Sequence, residues 1–224
     1  MKKIKSIGFE GLNGSGKGTR ISIFTKYFRS KNTQYAVLRG DGLRFGTGSK
    51  EYDSDSSWWR ENVAYLLDKK ENPLEKLNLQ YQRLSRERLV TERALMNSLS
   101  DGETGVILFD RSFISRYFTM QQYIPGITLE NALKAVNPKT GKVVKPIIPD
   151  VTVVFKLSKQ TLLERLEYGS GEGQNIRKRI VTEHYDLYMA LVQEMESRGD
   201  VIIIDGEKDL AQIDKIMMEI SNNE

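Results

Sequence analysis

Hydrophobic and polar positions alternate along the chain in a way that sorts it into short strands and longer helices. Ile4 to Glu10 is a strand-like run, Gly11 to Gly16 is a glycine loop, and from Lys17 to Lys31 the apolar residues Ile21, Phe24 and Phe28 recur at helical spacing. Gln34 to Leu38 predicts a second strand, and Asn78 to Leu99 a long helix with Leu84, Leu95 and Leu99 among its apolar positions. Val106–Phe109, Val151–Phe155 and Val201–Ile204 are continuously apolar, the pattern of strands covered on both faces. A last helix is predicted from Leu210 to Ile220, carrying Ile213, Ile216, Met217 and Ile220. Strands separated by helices imply crossover connections and a mostly parallel sheet. The expected fold is therefore a three-layer α/β domain: a central, mostly parallel five-stranded sheet, helices on both faces and a short lid. No internal repeat or linker divides the sequence, so residues 1–224 are read as one domain. Two stretches read as mobile: Gly40 to Ser57, rich in Gly, Ser and Asp, and Tyr168 to Gln174, reading Y-G-S-G-E-G-Q.

Composition narrows the function classes. With 39% hydrophobic and 29% charged residues, the chain reads as a soluble globular protein. No apolar run approaches the ~18 residues of a membrane span, and Lys2, Lys3 and Lys5 lead straight into the first strand, unlike a signal peptide. There is no cysteine, which excludes disulfides, thiolate metal sites and cysteine nucleophiles, and the cytoplasm is the expected compartment. The sole histidine, His184, excludes histidine metal clusters and Ser-His triads, and reads as a packing or surface residue. The net charge of +4 comes from basic residues interleaved with acids, so neither a nucleic acid nor a membrane is an expected partner. The mild excess suits a pocket for small phosphorylated molecules.

The chemistry begins at residues 11 to 19, G-L-N-G-S-G-K-G-T. Gly11 and Gly16 flank four residues and Lys17 follows, the pattern of a phosphate-binding loop. Such a loop curls so that successive backbone N–H groups point at phosphates, which side chains would obstruct. The helix opening at Lys17 adds the positive end of its dipole, and the lysine neutralises the outer phosphates. Asn13, Gly14, Ser15, Gly16, Lys17, Gly18 and Thr19 are thus the expected triphosphate cradle, with ATP and Mg2+ as the implied ligands. The strict pattern places Ser or Thr after the lysine to ligate magnesium, but here that position is Gly18. Either the ion is held there through water, or Thr19 shares the work. Val106 to Asp110 is an apolar strand ending in a carboxylate, the place from which phosphate-loop enzymes reach magnesium.

These motifs, taken in order, resemble the thymidylate kinase family within the P-loop nucleoside and nucleotide kinases. F-E-G-L-N-G-S-G-K-G-T resembles the family's first strand and loop, and Leu38-Arg39-Gly40-Asp41-Gly42 its T-R-E-P-G segment. Asp110-Arg111-Ser112, with Ser115 beyond, is similar to D-R-Y-x-x-S, and Pro149-Asp150-Val151-Thr152-Val153 to P-D-L-T-L. Leu163-Glu164-Arg165-Leu166 resembles the helix leading to the lid, and Asp205-Gly206 sits where the family closes a loop over adenine. There are departures. Asn13 stands where Asp is usual, Ser112 where Tyr is usual, and the base-contacting Ala-Tyr-Gln is Phe118-Thr119-Met120, with Gln121 one position on. Asp110-Arg111-Ser112 is also similar to the E-R-S of deoxynucleoside kinases, in which Glu10 would match the catalytic base; the paired glutamates of their arginine-dense lid have no counterpart from Gly169 to Ile180.

The resemblance implies γ-phosphoryl transfer from ATP to a nucleoside monophosphate, with dTMP the first choice, by an enzyme that works as a homodimer. Lys17, Asp110, Arg111 and Arg177 form the expected catalytic set, and Glu10, Arg39, Arg86, Arg111, Ser115 and Gln121 the acceptor side. Arg83, Arg86 and Arg93 share a face of the long helix, where a solvated charged face is the plain alternative. Gly14 and Ser15 leave the loop without an arginine, which shifts that role to Arg177 or Arg179 in a lid over about 168–179. A phosphate acceptor ionises with a second pKa of about 6 and needs no general base, whereas a nucleoside hydroxyl would need Glu10 or Asp110. A third reading is a nucleotide-binding protein that has lost transfer.

Overall fold

A computed structural model of the protein describes residues 1–39, 42–47, 50–53, 85, 88–136, 143–144, 148–168 and 174–208, together with 211, 214, 215 and 218. Its elements in chain order are β1 (Lys3–Glu10), α1 (Lys17–Ser30), β2 (Tyr35–Arg39), β3 (Gly42–Thr47), β4 (Lys50–Asp53), α2 (88–98), β5 (Thr104–Asp110), α3 (Phe113–Tyr123), α4 (Leu129–Leu133), β6 (Ala135–Val136), β7 (Val143–Val144), β8 (Val151–Lys156), α5 (Lys159–Glu167), α6 (Gln174–Ser197) and β9 (Ile202–Asp205).

The main sheet runs β4-β3-β2-β5-β1-β8-β9. From β2 to β9 all five strands are parallel, which is the expected core. Their apolar runs are buried along most of their length, in β1, β5 and β8 alike, because helices cover the sheet. Phe9 shows the packing. On its two sides lie Phe24 of α1, edge-on at 5.6 Å, and Phe155 of β8, stacked at 6.3 Å. Helix α1 buries Ile21, Phe24 and Phe28 as the spacing predicts, and α6 buries Val181, Tyr188, Leu191, Val192 and Met195.

Two antiparallel strands, β3 and β4, extend the sheet past β2. This corrects the reading of Gly40 to Ser57 as a mobile loop over 42–47 and 50–53. Leu43 and Phe45 alternate with Arg44 and Gly46, a period of two that the glycines and serines around them obscured. A separate two-stranded ribbon pairs β6 with β7. The start of the long helix predicted over 78–99 lies outside the described residues, and Leu99 falls just past the end of α2. Of the final helix, residues 211, 214, 215 and 218 are helical, and Asp214 pairs with the buried Arg20 of α1.

Strand order places the functional end. β1 lies between β5 and β8, and the register sets Phe9 opposite Asp110. The loop leaving β1 and the turn leaving β5 therefore emerge side by side at the carboxyl edge, where open parallel sheets bind their ligands.

Candidate active site

The loop after β1 has the backbone its glycines imply. Gly11 (φ 147°) and Gly16 (φ 87°) lie at positive φ, where a side chain is strained. At Gly11 a Cβ would also stand 2.4 Å from Ser15 Oγ. Ser15 N donates to Leu12 O at 3.1 Å, curling the loop back. Gly16 caps α1 without a side-chain hydrogen bond and no acidic residue lies in the first turn, which leaves that helix end suited to an anion.

Lys17 lies under this curl. Its Nζ donates to Gly11 O at 2.7 Å, Leu12 O at 3.0 Å and Ser15 Oγ at 3.3 Å. Burial, with the nearby Arg111 guanidinium as a second cause, lowers its pKa from 10.5 to about 7; Asp110 and Glu10 pull the other way. A lysine held near neutrality beneath a curled glycine loop is poised to take its full charge when an anion arrives.

The turn after β5 faces the loop. Arg111 has φ 79°, a strained value for a residue with a side chain. Its Nη2 donates to Asn13 Oδ1 at 2.8 Å, and its Nη1 to Ser115 Oγ at 3.1 Å and Gly11 O at 3.4 Å. All three acceptors are neutral, so they orient the guanidinium without cancelling its charge. The Asn13 departure thus has a structural role: its carbonyl oxygen steers Arg111. Beneath both lies Glu10, fully buried at the end of β1. Its Oε1 accepts from Ser112 N (2.5 Å), Ser112 Oγ (3.0 Å) and Ser115 N (3.2 Å), and its Oε2 from Ser115 Oγ (2.6 Å). The carboxylate of Glu10, expected on the acceptor side, is enclosed by the start of α3.

Asp110 is half-buried at the end of β5. Thr19 is exposed on the first turn of α1, and a Cβ on Gly18 would meet nothing within 4 Å. Among the described residues no group of three or more His, Asp or Glu gathers to hold a metal. One carboxylate beside a triphosphate cradle suits magnesium, which keeps several waters and binds through one or two carboxylates plus substrate phosphates. The residues fit an ion that arrives on the nucleotide.

Asp205 and Gly206 close β9 against α5. Gly206 N donates to Lys156 O at 2.8 Å, and a Cβ on Gly206 would sit 2.7 Å from Leu157 Cδ1. Glu207 accepts from Ser158 N and Thr161 Oγ1, fastening this turn to the start of α5. Pro149 and Asp150 lock β8 to β1: Asp150 Oδ2 accepts from Ser6 N and Ser6 Oγ, both at 2.7 Å. Gly8 is required there, since a Cβ would lie 2.7 Å from Pro149 Cγ and 3.1 Å from Ser112 Oγ.

Other expected residues fall elsewhere. The Gln121 amide donates to Ile127 O and Tyr117 Oη and accepts from Gly126 N, so it closes the turn after α3. Arg177 and Arg179 are exposed on the first turns of α6, and lid residues 169–173 lie outside the described residues. So do Arg86 and the side chain of Arg39, although β2 ends at Arg39, one residue past Leu38, which pairs with Phe109 of β5.

Three side chains received no role from the sequence. Arg88 lies with its guanidinium 5.8 Å from the Phe109 ring centroid and pairs with Glu92 at 2.6 Å. The helical spacing of Arg83, Arg86 and Arg93 pointed to the opposite face of this helix, about half a turn away. Arg165 reaches Gly14 O and Gly206 O, each at 3.5 Å, and so touches both the phosphate loop and the turn after β9. Tyr188, buried, has a hydroxyl without a hydrogen-bond partner among the described residues and meets Phe118 edge-on at 5.2 Å. Arg165 lies within Leu163-Glu164-Arg165-Leu166 and Tyr188 in no local motif; only the fold shows what each touches.

No protein-family model matches the chain. The thymidylate kinase of Thermoanaerobacter sp. (strain X514) is 28% identical to it, the match covering 97% of each chain. The thymidylate kinase of Caldanaerobacter subterraneus subsp. tengcongensis is 27% identical over 96% of this chain and 93% of that protein. That of Sulfurihydrogenibium sp. (strain YO3AOP1) is 26% identical over 95% and 94%. The chain is similar to these thymidylate kinases almost end to end, so the likeness takes in both the loop after β1 and the turn after β9. No helix among the described residues is long and apolar enough to cross a membrane.

Proposed function

We propose that the protein is a nucleoside monophosphate kinase that moves the γ-phosphoryl group of ATP to an acceptor phosphate, with dTMP as its substrate. Its relatives carry the name thymidylate kinase, and the loop after β1 has the geometry of a triphosphate cradle. The observation that carries the choice of acceptor is the state of Glu10. A nucleoside hydroxyl must lose a proton, but the best-placed base is enclosed by four donors, two of them backbone N–H groups. Asp110, the other carboxylate, stands close enough to Lys17 to bear on its charge, on the donor side of the site. A monophosphate is ionised already and asks for no base.

In this reading the loop amides and Lys17 hold the β- and γ-phosphates, and Arg111 draws negative charge toward the acceptor side. Arg177 or Arg179 closes from α6, and Asp205-Gly206 borders the adenine. Magnesium, held by Asp110 and the phosphates with Thr19 nearby, would neutralise charge developing on the transferring group. Catalysis is then positioning plus electrostatics. An ADP-release assay with ATP, magnesium and a panel of nucleosides and nucleoside monophosphates tests this: turnover is expected with monophosphates, dTMP foremost. ATP binding without turnover on any acceptor would point instead to a protein that has lost transfer.

Gly18 offers a gain-of-function test. Its surroundings are open and its φ is not positive, so Gly18→Ser introduces no clash. Serine in a helix is favoured over glycine by about 0.5 kcal/mol, and its hydroxyl would stand next to Lys17. The variant is expected to melt about 1–2 °C higher and to reach half-maximal turnover at a lower magnesium concentration. An unchanged magnesium requirement would place the ion away from the start of α1.

A further inference from the structure

We infer that Glu10 is a positioning residue: through Ser112 and Ser115 it sets the Arg111 guanidinium, which is the group that meets phosphate. This rests on the reading of the loop and turn as a phosphoryl-transfer site. A fully buried carboxylate is tolerated only where hydrogen bonds replace water. Here the replacement is complete, and every donor comes from the segment that carries Arg111.

The backbone argument comes first. Arg111 sits at φ 79°, a conformation that costs roughly 1 kcal/mol or more and persists only when its surroundings enforce it. Both peptide N–H groups that flank its Cα are held by the last two residues of β1. Arg111 N donates to Phe9 O at 3.0 Å, and Ser112 N donates to Glu10 Oε1 at 2.5 Å. Strand β1 thus grips the turn on both sides of the strained residue. Ser112 leaves α3 without a side-chain cap of its own, and its hydroxyl donates to Glu10 instead. The cap comes from a residue 102 positions away in sequence.

The side-chain argument is independent. The Ser115 hydroxyl has one proton, and it goes to Glu10 Oε2 at 2.6 Å. Its lone pairs are thereby left to accept from Arg111 Nη1 at 3.1 Å. A carboxylate at position 10 fixes the direction of this relay. An amide nitrogen there would donate to Ser115, turn its proton outward and set it against the guanidinium.

The test measures binding as well as turnover, so that a wrong acceptor assignment does not obscure it. Calorimetry with inorganic triphosphate as the probe, and kcat and KM with the best acceptor, are compared for Glu10→Gln and Ser115→Ala, each in the wild-type and the Arg111→Ala background. In the wild-type background each variant is expected to weaken triphosphate binding or lower kcat about tenfold, the effect of one charge-assisted hydrogen bond. KM for ATP should move less than kcat. In the Arg111→Ala background both effects should vanish, because Glu10 and Ser115 act through that guanidinium. Equal losses in both backgrounds, or no loss in the wild type, would overturn the inference. Ser115→Ala keeps Glu10 and both backbone bonds, so it decides the matter even where Glu10→Gln fails to fold. Triphosphate binding without turnover on any acceptor would refute the proposed reaction while leaving the relay testable by affinity.

Discussion

Lys17→Met is expected to lower kcat by on the order of 10²–10³-fold, the usual cost of removing one preorganised group that stabilises the transition state. The same substitution carries a pH signature. In the folded, unliganded protein the Lys17 pKa is lowered to about 7, against 10.5 as its ordinary value. Below pH 7 the ammonium is charged in both states, and the folded protein bears the full cost of burying it. Between pH 7 and 10.5 the unfolded chain binds more protons than the folded one, so stability rises with pH, by up to about 1.4 kcal/mol per pH unit from this group. Methionine does not titrate. The melting temperature of Lys17→Met relative to wild type should therefore be highest at or below pH 7 and fall as pH climbs toward 10. A gap that stays flat would mean that the lysine is not buried as described. ATP binding should show the converse: bound phosphates raise the Lys17 pKa, so binding at pH 8 takes up protons, visible as a dependence of calorimetric heat on the buffer's ionisation enthalpy.

The second large effect is at Arg111, where function and stability should separate. Arg111→Gly removes the guanidinium held by Asn13, Ser115 and Gly11, and transfer is expected to fall on the order of 10²–10³-fold. Glycine also adopts the positive φ of this turn without strain, a gain of roughly 1 kcal/mol that offsets the lost hydrogen bonds. Denaturant unfolding should place the variant within about 1 kcal/mol of wild type. A variant that loses stability and activity together would show Arg111 to be an ordinary structural residue, and the strain at this turn would need another explanation.

The parts of the molecule legible in the sequence are those whose physics is local. The loop from Gly11 to Thr19 declares itself because a phosphate cradle needs glycines, a lysine, a strand before and a helix after, all within a few residues. The middle parallel strands were visible because burial on both faces leaves unbroken apolar runs; β9 keeps such a run at the sheet edge, with Ile202 exposed. The antiparallel pair of β3 and β4 was hidden by the glycines and serines of this stretch, which read as loop when the strand they edge is unseen. Non-local contacts were hidden more deeply. Glu10 stood in the sequence as a candidate base or acceptor contact; only the register of β1 beside β5 shows it beneath Ser112 and Ser115. Gln121 looked like a displaced base reader, yet the turn over Ile124 to Ile127 engages its amide. Arg88 differs from the expected Arg86 by two positions, about half a turn, a distinction no spacing argument resolves without knowing which face meets Phe109.

The central claim is that the acceptor is a phosphate and not a hydroxyl. The most direct test is a one-pot competition: the protein, magnesium, γ-labelled ATP and equal concentrations of dTMP and thymidine, with the products separated by chromatography. The account predicts early label in dTDP and none in newly formed dTMP, with the dTDP signal lost in Lys17→Met. Label appearing first in dTMP, formed from thymidine, would contradict it.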